Sequence, residues 1–190
     1  MRLSLPVTLI ALSAAAPALA EESAFVGAHS LLDPSPQQRH QQLSFWAEVP
    51  WDYGAGIGVG VRYAIPVVEN GFIPKINNSF EIEFGGDIGF FPGYAYCVNG
   101  ISCYGGSGYD IGVVGEARWT FHFTPRFSAY GKVGLGLGYF GYSYAGSGGL
   151  YTFHPIIVAG PGIIFYVSDK ISLRAELGYP TIKGGIGIDF

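Results

Sequence analysis

The sequence predicts an all-β fold: an eight-stranded antiparallel transmembrane β-barrel with an up-and-down meander. Three observations lead there. Hydrophobic residues make up 49% of the chain, aromatics 16% and charged residues only 13%, with 30 glycines; a soluble domain carries about 25% charge. Beyond residue 20 no apolar run approaches the ~18 residues that a membrane-crossing helix needs. From residue 43 onward hydrophobicity repeats with period two, the period of a strand, and charges share one face with glycines while large apolar side chains take the other. A soluble β-sandwich or lipocalin-like barrel also alternates. An apolar face rich in large rings opposite a face of charge and glycine suits a lipid-facing exterior and a narrow polar interior.

Residues 1–20, MRLSLPVTLIALSAAAPALA, place an arginine before an apolar run and end on Ala18-Leu19-Ala20. This is the pattern of a secretory signal peptide, and a mature chain from Glu21 of about 170 residues suits one domain. Residues 21–42 are polar and end in DPSPQQRHQQ, an irregular N-terminal segment. The barrel domain is assigned to 43–190, its first strand to SFWAEVP at 44–50 as the segment that completes an even strand number.

The remaining strands follow in order. Ile57, Val59, Val61, Tyr63 and Ile65 oppose Gly56, Gly58, Gly60, Arg62 and Ala64. Phe80, Ile82, Phe84, Ile88 and Phe90 oppose Glu81, Glu83, Asp87 and Gly89. Within 110–123, Ile111, Val113, Ala117, Trp119, Phe121 and Phe123 oppose Asp110, Glu116, Arg118, Thr120 and His122. Within 127–139, Phe127, Val133, Leu135, Leu137 and Tyr139 oppose Ser128, Tyr130, Lys132 and three glycines. Residues 151–166 are apolar on both faces and leave their phase open. Ile171, Leu173, Ala175, Leu177 and Tyr179 oppose Ser172, Arg174 and Glu176; Ile186, Ile188 and Phe190 oppose Lys183 and Asp189. Turn chemistry punctuates the strands at ENGFIPKINN, the cysteine segment, Thr124-Pro125-Arg126, AGSGG, Ser168-Asp169-Lys170 and Pro180-Thr181. Phe80, Phe90, Trp119, Phe123, Phe127, Tyr139 and Tyr179 fall near strand ends, where interfacial girdles belong.

Cys97 and Cys103 are separated by VNGIS. In an oxidising compartment a pair this close is expected to form a disulfide, here across an Asn99-Gly100 turn in an outer loop. Metal-ligand spacings are absent, and so is a basic patch for nucleic acid at a net charge of −4. No cofactor is called for.

The chain finishes on GGIGIDF. An alternating strand that ends in an aromatic ring resembles the C-terminal signature of bacterial outer-membrane barrels. With the export signal and the amphipathic segments, nearly the whole mature chain resembles the small eight-stranded OmpA/OmpX type. The stretch IPVVENGFIPKINNSFEIEFGGDIGF also resembles a group of outer-membrane barrels of unassigned function. The resemblance implies location in the cell outer membrane, contact with its lipids, and recognition of Ile186, Ile188 and Phe190 by the barrel assembly machinery. It names no extracellular partner. One departure stands: the resemblance puts ENGFIPKINN on the periplasmic side, where turns are usually short.

An eight-stranded lumen is just wide enough to be filled by side chains. Arg62, Arg118, Lys132, Arg174 and Lys183 face Glu81, Glu83, Asp87, Asp110, Glu116, Glu176 and Asp189 on inward positions. In a poorly hydrated lumen opposite charges pair, and Arg62 is expected to neutralise Glu81, Glu83 and Asp87 on the neighbouring strand. The favoured reading is thus a plugged, non-enzymatic barrel with a structural or surface-interaction role. The alternatives are a small-solute pore, a lipid-binding barrel, and a lipid-modifying enzyme. Enzymes need a nucleophile or activated water beside a histidine and a carboxylate. His29, His40, His122 and His154 show no such spacing; His122 is expected to be satisfied by Arg118 or a glutamate, and His154 lies near the outer rim. Gly136–Gly141 matches G-x-G-x-x-G but inside a strand, the wrong context for dinucleotides. Asn77-Asn78-Ser79 reads as turn contacts rather than a glycosylation site.

Overall fold

The computed structural model describes residues 26–50, 56–98, 102–144 and 147–190, with backbone alone for 93–98, 102–105, 144, 147 and 148. The Asn99-Gly100 turn and the proposed signal peptide lie outside the described residues. Eight antiparallel strands form a closed barrel in sequential order: β1 (Gln42–Pro50), β2 (Ile57–Val68), β3 (Asn78–Val98), β4 (Ser102–Thr124), β5 (Phe127–Tyr144), β6 (Ser147–Tyr166), β7 (Ile171–Leu177) and β8 (Thr181–Asp189).

Closure is made by the last strand on the first. Gln42 pairs with Asp189 and Pro50 with Thr181, and the Phe190 amide donates to the Gln41 carbonyl at 3.1 Å. No edge is left where the two ends of the sheet meet, as a lipid-embedded sheet requires. The alternation then sorts side chains by face. Val59, Phe84, Val113, Val133, Leu135 and Ile186 are exposed outside, while Arg62, Glu83, Glu116, Lys132 and Arg174 are buried inside. The open phase of 151–166 resolves the same way: Phe153, Ile157 and Ile163 point out, Val158 and Ile164 in.

Two differences from the sequence reading concern length. The first strand begins at Gln42, so this glutamine belongs to the barrel. The cysteine segment is not a loop: β3 and β4 run as one ladder through it, from Asn78↔Phe121 to Val98↔Ser102, with Cys97 opposite Cys103. Glycine, tyrosine and serine carry no apolar alternation there, yet cross-strand partners hold Tyr94–Val98 against Ser102–Gly106, after a register shift at Gly93. β3, β4, β5 and β6 have 21, 23, 18 and 20 residues, against 9, 12, 7 and 9 for β1, β2, β7 and β8. β3–β6 thus form a tall wall that continues past the end of the short one.

At the near end, where the chain enters β1 and leaves β8, the N-terminal segment and the β2–β3 turn pack together. Asn77 donates its amide to the Leu31 carbonyl at 2.7 Å, Leu31 to Phe123 at 3.2 Å, and Gln37 to the Asn70 side chain at 2.9 Å. Asn78 ties the turn down through the Phe72 amide and the Ile73 and Ile76 carbonyls, and accepts from the Trp119 indole at 2.9 Å. Gly71 adopts a φ of 54°, and a side chain there would run into Asn78. The length of this turn is thereby used for packing. Asn77, Asn78 and Ser79 are all buried.

Candidate functional site

The interior is built from the inward positions of all eight strands. Its ion pairs form one chain in which acid and base alternate. Glu48 on β1 meets Lys183 on β8 at 2.9 Å, and Lys183 reaches Asp87 on β3 at 3.3 Å. Asp87 meets Arg62 on β2 at 2.5 Å, and Arg62 meets Glu116 on β4 at 2.9 Å. Lys132 on β5 lies 2.6 Å from both Glu116 and Glu176. Glu176 and Arg174, both on β7, are 3.6 Å apart; Arg174 reaches Glu83 on β3 at 3.1 Å. Arg118 on β4 closes the sequence with Glu83 at 2.6 Å and Glu81 at 3.1 Å.

Aromatic rings and neutral polar groups complete it. Arg174 stacks on Trp46 with its guanidinium 4.7 Å from the ring centre and on Tyr130 at 5.2 Å. The Tyr130 hydroxyl donates to Glu176 at 2.5 Å, and Arg174 also donates to Gln42 at 2.9 Å and Ser44 at 2.5 Å. Cation–π contact of this kind strengthens when water is excluded. Below Glu81, Ser79 bonds to it and to His122 at 2.8 Å, and Ser128 takes the other ring nitrogen at 2.9 Å. Outside the strands, hydrogen bonds hold the Asp33 carboxyl below its ordinary range, the Ser35 side chain first and the His29 and Ser35 amides next.

Register explains why Arg62 takes Asp87 alone of the three carboxylates expected for it. Arg62 stands opposite Gly85 on β3, while Glu83 stands opposite Ala64 and Glu81 opposite Pro66. The guanidinium runs diagonally up to Asp87 and past β3 to Glu116, leaving Glu81 and Glu83 to Arg118 and Arg174. Glu83 and Glu116 are direct cross-strand partners of like charge, a destabilising arrangement by itself. Their carboxylates have separate cations, Arg118 and Arg174 for Glu83, Arg62 and Lys132 for Glu116. Asp110 stands apart from this chain and meets His154 Nε2 at 3.1 Å. His122 takes two serine hydroxyls rather than Arg118 or a glutamate. Asp189 accepts from Gln42 at 2.7 Å. Glu48, Trp46, Gln42 and Ser44 join the interior beyond the positions that the sequence reading names, and the alternation of Ser44, Trp46 and Glu48 in β1 carries the signal for them.

Two cavities flank this chain. One of about 510 Å³ at the near end is lined by Gln42, Glu81, Arg118 and His122 among others. The other, about 100 Å³, lies toward the far end beside Glu48, Asp87, Asp110, His154 and Lys183. Arg62, Glu83, Glu116, Lys132, Arg174 and Glu176 line neither and separate the two. Phe91 also lines this upper cavity and forms a buried apolar cluster with Phe140 and Tyr142. The Cys97 and Cys103 side chains lie outside the described residues, so their pairing rests on backbone register alone.

No protein-family model and no curated protein matches the chain. Among solved structures it is similar to Ail, the attachment invasion locus protein of Yersinia pestis, in complex with the heparin analogue sucrose octasulfate: TM-score 0.49, 15% identity, 80% of this chain and 97% of that one. It is similar to the N-terminal β-barrel domain of Pseudomonas aeruginosa OprF, with TM-score 0.45, 13% identity and 80% and 98% of the two chains. Neisserial surface protein A gives 0.44, 12%, 80% and 96%. These neighbours are small barrels, as this chain is by its own strand pairing.

Proposed function

We propose that this chain is an integral outer-membrane barrel with a charge-filled, plugged lumen, acting as a structural or surface-interaction protein. The observation that carries the reading is the pairing of an apolar exterior with an interior sealed by ion pairs between its two cavities. Two aromatic sets bound the apolar belt. Phe72, Phe80, Trp119 and Phe121 pack together at the near end; Tyr139, Tyr151 and Phe153 pack together toward the far end. Along β4, Trp119 and Tyr109 bracket a stretch whose height, at ~3.3 Å per residue and a tilt of ~40°, is about 25 Å, the apolar height of an outer-membrane barrel.

The sealed interior favours a plug over a pore. The part that meets a partner is the far end of the tall wall, beyond the rings of Tyr139, Tyr151 and Phe153, where Leu150 is exposed. The reading involves no catalytic step. Refolded protein in a planar bilayer is expected to give no unitary conductance, and the expressed chain is expected in the outer-membrane fraction with a heat-modifiable gel band. Stepwise currents would restore the pore reading; recovery in the soluble periplasm would remove the membrane reading.

The terminal strand serves assembly in this proposal. Ile186, Ile188 and Phe190 are all exposed on the outer face. Deletion of Phe190 is expected to lower the folded yield in the membrane while unfolded chain accumulates in the periplasm. Unchanged yield would reduce GGIGIDF to an ordinary closing strand.

A further inference from the structure

The wall of this barrel is not equally continuous all round. β6 pairs with β7 only from Gly162↔Glu176 to Tyr166↔Ser172, with one further bridge, Ala159↔Tyr179. There the β7–β8 hairpin turns back, Gly178 donating to Thr181 at 3.3 Å, while β6 continues up to Ser147 with β5 alone beside it among the described residues. Ala159 donates its N–H to the Tyr179 carbonyl at 3.2 Å and accepts from the Tyr179 N–H at 2.8 Å. In an antiparallel ladder such residues recur every second position on the same side. Ile157 and Pro155 therefore aim their main chain into the space above the hairpin. Proline has no N–H to leave unpaired, and it favours such free strand edges.

The upper cavity lies at this gap. It is lined by inward His154, Ile156 and Val158 and also by outward Pro155 and Ile157, the next-door residues of the same strand. Pro155 and Ile157 line it from a strand whose main chain aims into this space, so the void lies along the edge of β6. Across the gap it meets Tyr179, Pro180 and Thr181, and inside it reaches Glu48, Lys183 and Asp110. Outside, Ile157, Leu177 and Tyr179 are exposed apolar surface.

We propose that this gap is a side opening through which the polar head of a membrane amphiphile enters from the lipid phase. The head meets hydrogen-bonding groups of both kinds, the Lys183 and His154 nitrogens and the Asp110 and Glu48 carboxylates, and the acyl chain stays outside along Ile157, Leu177 and Tyr179. The ion-pair chain below forms the floor that stops passage into the lower lumen. Burying the head satisfies polar groups that would otherwise face hydrocarbon at an unpaired strand edge. This inference rests on the membrane reading above.

The test uses the unmodified chain in phosphatidylethanolamine vesicles doped with phosphatidylethanolamine carrying a photoreactive diazirine in its head group. After irradiation, adducts are mapped by peptide mass spectrometry. Adducts are expected on inward His154, Ile156 or Val158, with none on Tyr130, which is buried within the floor. Adducts confined to outward residues such as Ile157, Leu177 and the girdle rings would overturn the side opening and leave the membrane reading intact. A parallel sample with the diazirine in the acyl chain checks that reading: no adduct on outward Val133, Leu135 or Ile186 would remove it, and the side opening with it.

Discussion

The tall wall (β3–β6) and the short wall (β7, β8, β1 and β2) divide the interior charge unequally. The tall wall gives the ion-pair chain Glu81, Glu83, Asp87 and Glu116 against Arg118 and Lys132. The short wall gives Arg62, Arg174 and Lys183 against Glu48 and Glu176. One wall is net acidic and the other net basic, so each is incomplete alone. Backbone ladders join the walls at only two seams, β2–β3 and β6–β7, and the second is the short ladder described above. Side-chain charge therefore does across the lumen what hydrogen-bonded strands do along it.

The largest break in this complementarity is expected from Arg174→Ala. Arg174 crosses from the short wall to Glu83 on the tall one and stacks on Trp46 and Tyr130. Removing it leaves buried carboxylates short of a cation, a loss of roughly 3–5 kcal/mol. Urea unfolding in detergent or bilayer, followed by Trp fluorescence, would measure it. A change within the error of the wild-type midpoint would mean that the interior is hydrated.

A subtler break is the contact between Arg62 and Glu116. In a double-mutant cycle of Arg62→Ala and Glu116→Gln, a coupling of about 0.5–3 kcal/mol is expected, the range for residues in one network. The same cycle with Glu81→Gln is expected to be near additive, since Arg118 holds Glu81 at 3.1 Å. The reverse order would restore the pairing expected from the hairpin alone. The smallest effect belongs to Cys97 and Cys103, far out on the tall wall. If they are bridged as proposed, reduction loosens the β3–β4 hairpin and leaves the global unfolding midpoint unchanged. Thiol titration of exported protein and hydrogen exchange of residues 91–108 would measure both, and free thiols before reduction would refute the bridge.

Much of this architecture is legible in the period-two alternation. It defines which side chains of Phe80–Phe90, Ile111–Phe123 and Ile171–Leu177 look inward, and the closing role of Ile186, Ile188 and Phe190 follows from the same pattern. Length is less legible. Residues 93–108 are mostly glycine, tyrosine and serine, so nothing in their hydrophobicity distinguishes a ladder from a loop. Partner choice is least legible. A strand's faces follow from one sequence, but the reach of Arg62 to Glu116 depends on stagger between strands and on which way a long side chain leans.

The alternation of acid and base has one more consequence, for error checking during assembly. Each charge is read against residues on other strands: Lys183 by Glu48 and Asp87, Lys132 by Glu116 and Glu176. A slip of one residue anywhere in the meander turns a strand's inward set outward. In the proposed membrane setting the displaced cation or carboxylate would then sit in hydrocarbon, and its former partner would be left bare inside, each a cost of several kcal/mol. A wrongly registered barrel is thus penalised twice for a single mistake, and the interior acts as a proofreading template that only the correct closure satisfies.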